Sequence, residues 1–152
     1  MMLRLVMAWA LRHDGKVDKA LAAVDDMLDD IDGKNSITEL DRNATWALWL
    51  ETVLAAKRRP RARAGNVDVG WALANALHKD NIQPEQFDII MAALSDDTQS
   101  VVAATVAIAT AGLGFEMPPE HDPRRYVDEE LLAPITRFIA EQATRSAANA
   151  DS

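Results

Sequence analysis

The stretch DDIDGKNSITELDR, Asp29 to Arg42, sets oxygen-bearing side chains at nearly every other position around a glycine. Hard divalent cations take about six to eight such oxygens, often from a turn between two helices. Asp30, Asp32 and Glu39 are the candidate calcium or magnesium ligands. The same residues also suit a plain polar turn. Asp29, Asp30 and Asp32 then form the solvated end of an acidic helix, and Gly33 stops it. Ser36 and Glu39 form a capping box for the next helix, each side chain accepting from the other's backbone N–H.

Against the twelve-residue EF-hand pattern the stretch fits two registers and completes neither. Starting at Asp30, Asp32 and Ile37 fall correctly, but Lys34 stands where an oxygen is needed, Asn35 replaces the turn glycine and Asp41 replaces the closing glutamate. Starting at Leu28, the residues Asp30, Asp32, Gly33, Ser36 and Glu39 fall correctly, but Leu28 cannot ligate and Asn35 takes the apolar position. The chain offers no second loop to pair with it. The structural turn is the reading the residues favour, and no cofactor is expected.

Lys57, Arg58, Arg59, Arg61 and Arg63 form the second constellation, five cations with no intervening acid. Such a loop can contact nucleic-acid phosphates. No aromatic side chain is interleaved for base stacking. Lys57 and Arg58 also suit the negative pole of a helix, and the rest can face this protein's own acidic surface or an acidic partner. A helix-turn-helix drawn over residues 71–94 would present Glu85, Gln86 and Asp88 to phosphates, which opposes DNA reading.

Chemistry needing a preset motif finds none. His13, His78 and His121 are far apart, and no Glu-x-x-His pair, glycine-rich phosphate loop or nucleophile elbow is present. Asp25-Asp26 and Glu129-Glu130 are sequence neighbours, and adjacent helical residues do not converge on one site. Without cysteine, thiol and cysteine–metal chemistry are excluded. A non-enzymatic protein is expected. Trp46 and Trp49, three residues apart, read as core or, if exposed, as interface anchors; Trp9 and Met7 on a short apolar first helix raise the same question.

The elements that must carry these residues are helices. Val17, Ala20, Leu21, Val24, Met27, Leu28 and Ile31 recur at helical spacing, with aspartates off that stripe. The next helix, Ser36 to about Lys57, is apolar nearly all round and should be central. Pro60 and Gly65-Asn66 interrupt the pattern. A helix over 67–79 carries Trp71, Leu73, Ala74 and Leu77 as core, and another starts at Pro84. The segment 101–111 is β-branched enough for a buried strand, but its alanines and the lack of a partner strand favour helix. Asp122-Pro123 should cap a last helix over 124–145, kinked or split at Pro134.

The fold predicted is therefore all-α, a bundle of about six to eight helices with a basic loop near 57–66 between two helical halves. It is expected as one domain over 1–147, open to subdivision into 1–58 and 67–147, with 148–152 a frayed tail. The N-terminal MMLRLVMAWALRHDG reads as a helix rather than a secretion signal, and no segment reads as membrane-spanning, so a cytoplasmic location is expected. Net charge is −8, and the acids lie outside the 57–63 cluster. The leading expectation is a small acidic helical protein that binds another macromolecule, as adaptor, inhibitor or assembly factor. Its partner would be a protein or a second copy, met through Trp9, Trp46 or Trp49. The alternative is a nucleic-acid-associated protein using Lys57–Arg63, and the lesser one a cation binder at Asp30–Glu39.

Overall fold

The computed structural model describes residues 2–32, 39–56 and 62–150. The protein is all-α, about 80% helical. Its α-helices are α1 (Met2–His13), α2 (Val17–Asp32), α3 (Glu39–Ala55), α4 (Val67–His78), α5 (Phe87–Ala92), α6 (Asp96–Gly112) and α7 (Glu129–Ala150). Single 3-10 turns span Pro84–Gln86, Pro119–His121 and Pro123–Tyr126. Two compact units, Met1–Ala62 and Arg63–Ser152, gather these helices.

In the first unit α1, α2 and α3 pack pairwise. Gly15, at φ +80°, takes the left-handed position that ends α1, and the Lys16 N–H reaches back to the Leu11 carbonyl at 2.9 Å. The stripe expected on α2 is the buried one: Ala20, Val24, Met27, Leu28 and Ile31. On α3, Trp46 and Trp49 meet edge to face at 5.5 Å and are 1% and 2% exposed. Thr45, Leu50, Thr52 and Val53 are buried with them, as a helix apolar nearly all round requires. The buried Thr52 hydroxyl donates to the Leu48 carbonyl at 2.6 Å, which satisfies it inside the core. The Gly33 stop and the Ser36–Glu39 capping box lie outside the described residues.

The second unit is built on α6. The segment 101–111 is helix, not strand, with Val102, Ala103, Val106, Ala107 and Ala109 buried. Packed against it is α4, started by Asn66, whose side-chain carbonyl accepts from the Val69 N–H at 3.2 Å. Two glycines set how near the partners come. A Cβ on Gly70 would stand 2.6 Å from Thr105 Cβ and 3.2 Å from the Val102 carbonyl oxygen; one on Gly65 would stand 2.6 Å from Val102 Cγ2. Before α4, Arg63 makes an isolated parallel bridge to Leu94, donating to the Ala93 carbonyl at 3.0 Å and accepting from the Ser95 N–H at 2.8 Å. No strand occurs among the described residues.

Three boundaries differ from those the sequence suggests. Pro84 opens a 3-10 turn that leads into α5. Asp122 caps the 3-10 turn Pro123–Tyr126, not the last helix. That helix begins at Glu129, after Asp128, whose carbonyl accepts from the Leu131 and Leu132 N–H groups. It also runs unsplit across Pro134. The hydrogen bond that proline forfeits would reach the carbonyl of Glu130, an exposed residue in the first turn, where solvent is accessible to that carbonyl's residue. The tail expected to fray from 148 is helical to Ala150, and residues 151–152 lie outside the described residues.

Gly70 yields a sharp prediction. Alanine ordinarily stabilises a helix interior by about 1 kcal/mol over glycine. At Gly70 the contact with Thr105 reverses the sign, and Gly70→Ala should cost about 1–3 kcal/mol. Gly112→Ala, with open space around the added methyl, should be neutral or better. Urea unfolding midpoints of the two variants check the contrast.

Candidate functional site

The tryptophans separate into two kinds. Trp46 and Trp49 lie in the core of the first unit and offer no accessible face; of the two readings left open for them, burial favours core. Trp9 is 50% exposed, beside Val6 at 53% and Met7 at 58%. The His13 ring lies one turn on, 4.0 Å from the Trp9 ring. The cations of α1 explain why this outward face is apolar. Arg4 pairs with Asp30 of α2 at 2.5 Å, and Arg12 pairs with Glu51 of α3 at 3.3 Å. Both turn toward the helices that α1 packs on, leaving Val6, Met7, Trp9 and Ala10 outward.

Trp71 corrects the sequence reading. Its spacing groups it with the α4 core, yet it is 44% exposed. Gly70 is the residue turned onto α6, and the next position is rotated by about 100° around the helix. Val67 on α4 and Val101 and Ile108 on α6 are also exposed.

Of the cation candidates, Asp30 is engaged with Arg4; the side chains of Asp32 and Glu39, and residues 33–38 between them, lie outside the described residues. Among the described residues no group of three or more acidic or histidine side chains is placed to hold a metal ion. Lys57, Arg58, Arg59 and Arg61 lie outside the described residues too, while Arg63 sits at the bridge to Leu94.

The polar centre that the sequence did not reveal is Asp88, in the second unit. Its Oδ1 accepts from the Tyr126 hydroxyl at 2.5 Å and from Arg125 Nη2 at 2.7 Å; its Oδ2 stands 3.1 Å from His121 Nδ1. The donors come from 33 to 38 residues further along the chain. Phe87, next to Asp88, meets the Tyr126 ring edge to face at 5.7 Å. Partial burial pushes the Asp88 carboxyl up, but the bonds from Tyr126, His121 and Arg125 and the Arg125 charge outweigh it, so its pKa lies below the ordinary value. Burial, the bond to Asp88 and the Asp88 charge push the Tyr126 phenol up to about 12, against an opposing pull from Arg125. A histidine oriented by a carboxylate is one half of a general-base pair. Here the carboxylate is also held by a phenol and a guanidinium, so the arrangement is a latch that pins residues 119–126 to α5. The sequence held a weak signal in the His-Asp-Pro-Arg-Arg-Tyr run, 121–126, but Asp88 entered it only as an acid at the start of a helix, with nothing to join it to that run.

Beside the latch lies a half-open cleft of about 500 Å³ between α6 and α7, walled by residues 114–124. Ala107, Thr110 and Ala111 line one side, Ile139, Gln142 and Ala143 the other. At its rim Asp122 holds Arg124 by both Nε, at 3.1 and 3.0 Å, and Nη2, at 2.6 Å. Partial burial pushes the Asp122 carboxyl up, and the Arg124 bonds and charge overcome this and leave it low.

No family model, curated protein or solved structure matches the chain. No helix among the described residues is long and apolar enough to cross a membrane.

The latch has a pH signature. Asp88 has a lowered folded pKa, so its stabilisation is present above about pH 4 and is lost as pH falls through the folded value. Asp88→Asn should cost about 1–2 kcal/mol at neutral pH, the partial exposure keeping it modest, and the deficit should shrink in acid. Tyr126 works in the opposite direction: its contribution is lost as pH rises from about 10 to 12. It is the chain's single tyrosine, so phenolate absorbance reports it alone. The expected midpoint is near 12, moving down toward the ordinary ~10 in Asp88→Asn.

Proposed function

We propose that the protein acts by binding another protein, without catalysis, and that the outward face of α1 is its docking surface. The observation that carries this reading is the placement of charge on α1. Both of its arginines are tied inward, to Asp30 and Glu51, and Val6, Met7 and Trp9 face outward, each about half exposed. A run of large apolar side chains on one exposed helix face is an unusual expense for a soluble surface, and half-exposed tryptophan is the side chain most enriched among interface anchors.

The surrounding charge sets the partner's character. α2, joined to α1 by the short Gly15 turn, exposes Asp18, Asp26 and Asp29. A second copy would bring like charges together. A segment that is apolar on one side and carries lysine or arginine beside it matches both features, and the helix-on-helix mode suits that chemistry. The Lys57–Arg63 alternative has no observation among the described residues to raise it above this reading.

The test is affinity capture from native lysate with nuclease present, comparing wild type, Met7→Glu and Trp9→Ala. A stoichiometric protein partner should be retained by wild type, lost with Met7→Glu and weakened by Trp9→Ala about thirtyfold, a change of about 2 kcal/mol. Cross-linking should place α1 against a basic amphipathic segment, and sedimentation should show the isolated protein monomeric. A partner bound equally by all three proteins sinks the α1 assignment. Partners that vanish with nuclease transfer the reading to Lys57–Arg63.

A further inference from the structure

The cleft between α6 and α7 exists because its sides are short. Ala107 and Ala111 stand one turn apart on α6 and Ala143 faces them from α7, so methyl groups line a gap of about 500 Å³. That volume falls in the range of small-molecule sites. Phe115 and Met117 add an apolar wall. A gap of this size in a pliant structure would close as its wall fell inward. Here the wall is fastened from outside the cleft: Tyr126, Arg125 and His121 bond Asp88 of α5, and Asp122 caps the turn that follows it. The cleft is preformed.

Its rim distinguishes among ligands. Asp122 engages Arg124 through Nε and Nη2, which fixes the guanidinium plane; among the described residues no acceptor is bonded to Nη1. Gln142 supplies an amide from the α7 side. The rim thus offers donors to an acceptor atom. Arg124 is already matched by Asp122, and Glu116 makes the lining net negative. A ligand carboxylate would stand beside two carboxylates and one neutralised arginine, whereas a neutral carbonyl takes the same donors without that repulsion. We infer that the cleft binds an uncharged, elongated apolar molecule carrying a carbonyl acceptor at one end, of the amide, ester or ketone class.

This assignment lies in the second unit and stands apart from the reading of α1. Its test is a titration of the full chain, methyl-labelled for NMR, with decanamide and, separately, with decanoate. Decanamide should shift the methyl signals of Ala107, Ala111 and Met117 saturably, and decanoate should bind at least about tenfold more weakly. Ala111→Leu, which fills the cleft, should lower decanamide affinity by about tenfold or more, with the methyl signals of Leu73 and Ile90, in the core of the same unit, unchanged as the measure of intact folding. Ala143→Met fills it from the other side and takes its place if Ala111→Leu does not fold. Absence of saturable shifts overturns the site, as do shifts that survive the filling variant. Equal affinity for decanoate overturns the ligand class.

Discussion

The close approach of α4 to α6 is the constraint on which the second unit depends. It is possible only because Gly70 and Gly65 carry no Cβ, since an added methyl would run into Thr105 and Val102. α6 then has neighbours on several sides, packing with α4, with α7 and with the turn at Pro123–Tyr126. A helix so surrounded cannot carry bulky side chains all round, and its many alanines answer that requirement. The same alanines have a second consequence. Gly70 and Gly65 close on Thr105 and Val102 of α6, whereas α7 faces the alanines with Ala143 and Ile139 and a cleft is left.

The Asp88 latch makes that gap durable. It collects three donors on one carboxylate and so fixes residues 119–126 without burying a charge deeply. Arg125 compensates the carboxylate, its guanidinium also lying 5.4 Å from the Tyr126 ring centre. A latch of hydrogen bonds and compensated charge is directional where apolar packing is not. It can therefore hold a wall at a set distance from its neighbours instead of drawing it in.

In the first unit, charge placement has a different outcome. The ion pairs of Arg4 and Arg12 are exposed or partly exposed and add little stability singly. Their effect is to orient. By drawing both arginines of α1 toward α2 and α3, they leave Val6, Met7, Trp9 and Ala10 outward without an arginine among them. The core supports this: Trp46 and Trp49 fill it, so Trp9 is not needed inside.

Much of the architecture was legible from periodicity alone. The α2 stripe, the all-round apolar α3 and the break at Gly65-Asn66 before α4 follow from local spacing and from backbone preferences of Gly, Asn and Pro, which act within a few residues, while 101–111 read as helix only with the added argument that no partner strand exists. Local rules failed where the outcome turned on a distant neighbour. Trp71 reads as core in its own helix and is exposed because Gly70 takes the contact with α6. Asp122 reads as the cap of a long helix and caps one turn, because Tyr126 and Arg125 are drawn to Asp88, 38 and 37 residues earlier. The cleft follows from alanines 32 to 36 residues apart whose helices must first be brought face to face. Sequence by itself determined which segments are helices and which of their faces are apolar, since those depend on nearest turns. Only the tertiary structure decided which apolar residues were left outside and which polar ones met, because both depend on contacts between residues that the chain alone does not place together.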